Sequence, residues 1–187
     1  MIHVPSLLVG RSFYIIVMFM IVRIFNQNEP SELTMEALLL LFRNSTVEDD
    51  YMASNEIKDL DTLKKILTNK NLIHFFGYEE DLPVAYCQVI HKAESVNFNS
   101  GAKINAISIL PDKRGCGLGK ELIKEVIASL QKNTRIKNIH LEVVKDNTVA
   151  INLYKEVGFA KTGELKNLFM KNGALLDIEI YSLLVNT

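Results

Sequence analysis

The chain has 187 residues, enough for one ordinary domain or one domain with a short appendage, and too few for two independent cores. Its 48% hydrophobic and 23% charged content argues against wholesale disorder, collagen-like repeats and a polytopic membrane protein. Twenty-one Lys and Arg oppose 22 Asp and Glu, so the net charge of -1 gives no global field for capturing nucleic acid, and any anion site must be local.

In chain order, the first feature is an unbroken apolar run over residues 13–22, bounded by Arg11 and Arg23. It is about half the length of a membrane span, which needs roughly 20 residues. A secretory signal is not supported either, because residues 1–10 carry no Lys or Arg and no cleavage site follows. Residues 20–25, MIVRIF, have the β-branched content of a strand, and 26–31 supply polar and proline breakers. Leu33, Ala37, Leu38, Leu40 and Leu41 repeat at helical spacing, as do Leu60, Leu63, Ile66 and Leu67. Between them Glu48, Asp49 and Asp50 form either a solvated loop or an attractor for cationic substrates.

Strand-like runs at 72–78 and 84–91, joined by a short polar connection, predict an antiparallel hairpin. A third run at 103–110 stops at Pro111, and from Gly117 the period changes to that of a helix bearing Leu118, Leu122, Ile123, Val126, Ile127 and Leu130. Ile139, Leu141 and Val143 alternate as a strand does; Asp146 or Asn147 then caps a helix that ends near Gly158. Asn172-Gly173 is a two-residue hairpin signal between runs at 165–171 and 175–185. The order predicts a mixed α/β fold.

Chemistry concentrates in PDKRGCGLGKEL, residues 111–122, between a strand and a helix. Glycines let backbone amides approach an anion, and a helix start adds unpaired N–H groups and positive potential. The segment matches neither the Walker pattern nor GxGxxG, whose last glycine would fall on Lys120. Cys87 and Cys116 form no CxxC, and His3, His74, His91 and His140 lack metal-ligand spacing, so neither disulfide nor metal is assigned and a reducing cytoplasm is the expected compartment.

The spacing Arg-x-x-Gly-x-Gly at Arg114, Gly117 and Gly119, preceded by Pro111, resembles the coenzyme A loop of the GNAT N-acetyltransferase superfamily. LEVVKDNTVAINLYKEVGF, residues 141–159, resembles that family's second motif through Asn147, Ala150, Leu153, Tyr154, Gly158 and Phe159. The resemblance implies a bent mixed sheet of about seven strands with about four helices, splayed between the fourth and fifth strands. Acetyl-CoA, as co-substrate, would enter that gap. Backbone near Ile107 and Ile109 would then meet the pantetheine arm, and amides of Arg114, Gly115, Cys116, Gly117, Leu118, Gly119 and Lys120 the pyrophosphate. Asn147 is expected at the cofactor, at Tyr154 or simply as a helix cap.

An alkyl amine with a pKa near 10 must lose a proton before it attacks a thioester, and the departing thiolate must gain one. The family motif places the general acid at Tyr154, and a phenol of pKa about 10 retains its proton at neutral pH. Glu142, twelve positions earlier, has the spacing of the base in relatives that acetylate ribosomal-protein N-termini. A strand glutamate can also simply face solvent. The fourth strand, KINAISIL, offers no Asp or Glu, so the base must come from elsewhere or be water.

The expected activity is acetyl transfer to a primary amine, on a small molecule or a protein N-terminus, with no nucleic-acid partner, no membrane and a possible homodimer. Glu48, Asp49 and Asp50 are weaker candidates for drawing in the amine. An acyl-CoA sensor or scaffold that does not turn over is the alternative, and a membrane-attached enzyme a third reading. Residues 1–19 are expected to be a dispensable extension ahead of an acetyltransferase domain at 20–187.

Overall fold

The computed structural model describes residues 20–24, 35, 38, 39, 41, 59–80, 82–92, 94, 95 and 100–185. Seven strands form one sheet in the order β1-β2-β3-β4-β5-β7-β6: β1 (Ile21–Ile24), β2 (Leu72–Glu79), β3 (Leu82–Ile90), β4 (Gly101–Ile109), β5 (Asn138–Val144), β6 (Ala160–Lys171) and β7 (Ala174–Leu184). All neighbours are antiparallel except β4 and β5. Parallel neighbours need a crossover, and α2 (Leu118–Gln131) supplies it; α1 (Leu60–Leu67) precedes β2 and α3 (Thr148–Glu156) follows β5. Met35, Leu38, Leu39 and Leu41 are also helical, where the first apolar repeat predicts a helix. The expected extension at 1–19 and the acidic candidates Glu48, Asp49 and Asp50 lie outside the described residues.

Both faces of the central sheet are covered. On one face, Leu122, Ile123 and Val126 of α2 are fully buried with Phe75, Cys87, Val89, Ile139 and Leu141. Burying each such aliphatic side chain contributes about 1.5–3 kcal/mol. On the other face, Leu63 and Leu67 of α1 pack with Met35, Leu38, Leu41, Phe76 and Tyr86.

Two departures from regular pairing position the site. The register of β3 with β4 runs Gln88↔Ala106 and then Val89↔Ile104, leaving Asn105 as an extra residue in β4. A bulge exchanges the faces to which successive residues point. Ala102 and Ile104 accordingly belong to the α2 core, and beyond the bulge Ile107 and Ile109 take over that side while Ala106 turns to the other. Pairing of β4 with β5 ends at the same place, at Ile104↔Leu141. Residues 105–109 therefore have no β5 partner, which is the splay that the motifs imply.

The C-terminal hairpin departs from expectation at its start. β6 begins at Ala160 rather than 165, because its exposed, irregular pattern hides the strand from a periodicity reading. Its register slips between Leu165 and Phe169 around Asn167, whose φ is 53°. The turn itself is as predicted, with Asn172 and Gly173 at φ 50° and 78°, the left-handed pair that a type I′ turn requires.

Candidate active site

The splay opens a cleft of about 1290 Å³ lined from β4, β5, α2, α3 and the loop between β4 and α2. Its size exceeds the roughly 300–1,000 Å³ of most small-ligand pockets, consistent with a site for two substrates.

The loop starts with a single 3-10 turn (Pro111–Lys113) and ends at Gly117, the residue before α2. Gly115 and Gly117 have φ of 76° and 86°, left-handed values that a Cβ would strain. No carbonyl of the described residues accepts from the amides of Gly115, Cys116 or Gly117. Of the amides expected at the pyrophosphate, Arg114 N–H donates instead to the Pro111 carbonyl and Lys120 N–H to the Gly117 carbonyl, so those open to an anion, with the helix dipole behind them, are the amides of residues 115–119. Gly119 serves differently: a Cβ there would lie 3.2 Å from Leu153, so this glycine lets α2 sit against α3. Leu118 is buried.

The cationic side chains of the loop are already engaged. Arg114 Nε donates to the Ile109 carbonyl at 3.0 Å, Lys113 Nζ to Glu79 at 2.7 Å and Lys120 Nζ to Glu156 at 3.0 Å. The Ile109 carbonyl, expected at the pantetheine arm, is thus held by Arg114; Ile107 and Ile109 both line the cleft. Cys116 is exposed, its thiol 3.6 Å from the Arg114 carbonyl.

Tyr154 is 5% exposed and lines the same cleft. Its pKa is pushed up, first by burial and then by the neighbouring Cys87 thiol, so the phenol keeps its proton. Its orientation follows from how α3 ends. Gly158 adopts φ 100°, Gly158 N–H donates to the Lys155 carbonyl and Phe159 N–H to the Tyr154 carbonyl. This is the Schellman arrangement, in which the residues three before and two after the cap touch. Here they are Tyr154 and Phe159, edge to face at 6.1 Å.

Glu142 lies on β5, exposed, and forms an ion pair with Lys103 of β4 at 2.9 Å; both line the cleft. His140, two positions earlier, has its pKa lowered by burial and by Lys103, against the opposing charge of Glu142. Asn147 caps α3, accepting from Ala150 N–H at 3.1 Å, so the cap is the role its contacts show. Tyr154, Glu142, Asn147 and the glycine loop, from three segments of the chain, thus share one cleft.

Sequence reasoning missed a polar chain on the opposite face from α2. Asn105 donates to Gln88 at 2.7 Å, Gln88 to the Tyr86 hydroxyl at 3.1 Å, and that hydroxyl lies 2.9 Å from His74 Nδ1. Burial lowers the His74 pKa to about 4 and raises that of Tyr86. The alternation of Tyr86 and Gln88 with Ala85, Cys87 and Val89 carried the signal. Phe169, also in the cleft lining, depends on the Asn167 irregularity and had none. Among the described residues no group of three His, Cys, Asp or Glu could hold a metal, and no helix is long and apolar enough to cross a membrane.

Residues 39–159 match the model of the Acetyltransferase (GNAT) family. The chain is 27% identical over 127 residues to the spermine/spermidine N(1)-acetyltransferase of Bacillus subtilis, covering 65% of this chain and 84% of that one. It is 32% identical over 107 residues to the [ribosomal protein bS18]-alanine N-acetyltransferase of Haemophilus influenzae, covering 57% and 60% respectively. The fold is similar to that of yncA from Salmonella typhimurium, solved with its cofactor acetyl-CoA: the TM-score is 0.74 at 15% identity, over 89% of this chain and 94% of that one. With a matching family model over more than half its length and the family's splayed sheet and glycine loop in place, the chain belongs to the GNAT acetyltransferase family.

Proposed function

We propose that this chain is an N-acetyltransferase that moves the acetyl group of acetyl-CoA to a primary amine by direct attack, the amine belonging to a small molecule or a protein N-terminus. The observation that carries the reading is the convergence of the left-handed glycine loop, the Tyr154 hydroxyl and the Glu142 carboxylate on one cleft. Acetyl-CoA supplies an activated acyl group on a thiol leaving group. The amides of residues 115–119 bind its pyrophosphate, and the unpaired edge of residues 105–109 offers backbone groups to the pantetheine arm.

Glu142 takes the proton that the ammonium must lose, directly or through water, and Tyr154 gives its proton to the departing sulfur. The two groups keep separate roles because their settings differ. Glu142 is exposed and ion-paired, whereas Tyr154 is buried and held protonated. Two relatives acetylate amines of very different size, spermine or spermidine and the alanine of a ribosomal protein; both kinds fit an open cleft.

Coenzyme A release with a panel of primary amines tests the proposal. Tyr154→Phe is expected to lower kcat by about 10²–10⁴-fold, the usual contribution of a positioned acid, with acetyl-CoA binding retained. Glu142→Gln should lower kcat/KM most at low pH, where the amine is most fully protonated. Tight acetyl-CoA binding without transfer to any amine would overturn the proposal.

A further inference from the structure

Resting on that reading, we infer that the acceptor is a zwitterion: an amine that carries a carboxylate on the same or the adjacent carbon, its nitrogen at Glu142 and its carboxylate at Lys103. The ground is the pairing of every carboxylate along the cleft. Among the described residues, the acids of the lining are Glu142, Asp146 and Glu156. Each faces a lysine: Lys103 at 2.9 Å, Lys171 at 3.8 Å and Lys120 at 3.0 Å. No described part of the wall offers an uncompensated negative charge to a polycation.

Of these three pairs, Lys103–Glu142 sits where the splay begins. It joins β4 just before the Asn105 bulge to β5 just beyond the last paired residue, Leu141. Its members are 26% and 38% exposed, so both can exchange their partner for a ligand. A simple alkylammonium approaching Glu142 gains one attraction and meets one repulsion from Lys103, and the two nearly cancel. An amino acid laid head to tail against the pair satisfies both charges. The like-charge contact then becomes a device against the wrong acceptor.

Beside the pair, the described wall also carries uncharged groups. Gln88, Asn105 and Tyr86 are hydrogen-bonded to one another, and Phe169 and Ile178 add apolar wall. The charged and titratable neighbours of Glu142 on its own face are Lys103 and His140, and burial holds the imidazole toward its neutral form. Among the described residues, the ion pair therefore sets the charge preference.

The test measures acetyl transfer to each of the common L-amino acids, to its decarboxylated amine and to its α-amide, with spermidine and an alanine-led hexapeptide alongside. At least one amino acid should exceed both of its own analogues in kcat/KM by about tenfold or more, the scale of one charge-assisted hydrogen bond. Lys103→Met should bring that ratio close to one. Lys103→Arg should keep it within a few-fold, and Lys103→Glu should reverse it in favour of spermidine. The KM for acetyl-CoA, read on each variant, reports that the cofactor half is intact, and the arginine variant carries the comparison if the methionine one does not fold. Preference of the wild-type protein for spermidine, for the decarboxylated amines or for the peptide would overturn the inference. So would a ratio that Lys103→Met does not move. Those outcomes leave the acetyltransferase reading standing, whereas acetyl-CoA binding with no acetyl transfer to any amine removes both.

Discussion

The rings of Tyr154, Tyr86 and His74 are set by burial more than by charge. Tyr154 and Tyr86 both have their pKa raised chiefly by desolvation, so the folded state favours their protonated forms. The stability tied to them is complete below the ordinary tyrosine pKa of about 10 and is lost as pH rises beyond it. The acid role of Tyr154 should accordingly leave kcat level through pH 9, with any loss from this group appearing only above about pH 10. An alkaline limb near pH 8 that disappears in Tyr154→Phe would contradict it. His74 shows the opposite sign. Its pKa falls from 6.5 to about 4 because its imidazole is buried, so the unfolded chain binds more protons between those values. Stability should therefore decline as pH drops through that window, by at most about 1.4 kcal/mol per unit. Replacing His74 by Gln should flatten that slope in urea melts at pH 4.5, 5.5 and 6.5.

The C-terminus of α3 couples a helix stop to chemistry, since the same bonds that end the helix bring Phe159 onto the ring of Tyr154. Gly158→Ala is expected to cost about 1 kcal/mol from the left-handed backbone and also to lower kcat, a joint effect that a cap remote from the site would not give. Thermal melts and steady-state rates on one preparation would separate the two. In the β6–β7 hairpin, Lys161 joins Glu164 and Glu179, while Lys145 and Lys166 bridge Glu164 and Asp177. These contacts lower the pKa of all three acids, the lysine hydrogen bonds being the largest cause. The stabilisation is thus present above the usual carboxylate range and lost as pH falls below it, and for exposed groups salt should weaken it. Amide protection, corrected for the intrinsic exchange rate at each pH, should fall more in β6 and β7 than in β5 between pH 6 and pH 3. Local chemistry made some of these elements legible in advance. Asn172-Gly173 can serve few purposes other than a tight turn, and the Gly-rich loop and the Tyr154 helix carry their signals within a few residues. The extra residue at Asn105, the slip at Asn167 and the Lys103–Glu142 pair were not legible. Each depends on which strand lies alongside, and no run of neighbouring residues records that.

At the scale of the whole molecule, one sheet does two tasks by pairing continuously for stability and parting where it binds. Its splay is what the two motifs imply by resemblance, whereas the proposed acceptor side draws on β3, β4, β5, β6 and β7, which only the fold brings together. The described core already includes Met20, buried at 6% exposure against the α2 side of the sheet. A chain beginning at Met20 is expected to fold and to melt within a few degrees of the full-length protein; a loss of cooperative melting would show that residues 1–19 belong to the fold. The extra residue in β4 also divides labour along a single strand. Before it, even-numbered positions such as 102 and 104 look toward α2; after it, 106 and 108 look the other way, into the region where the amine must enter. Side-chain size can change at 106 and 108 without disturbing what lies beneath the coenzyme loop. The two sides of this one strand can therefore vary independently of each other.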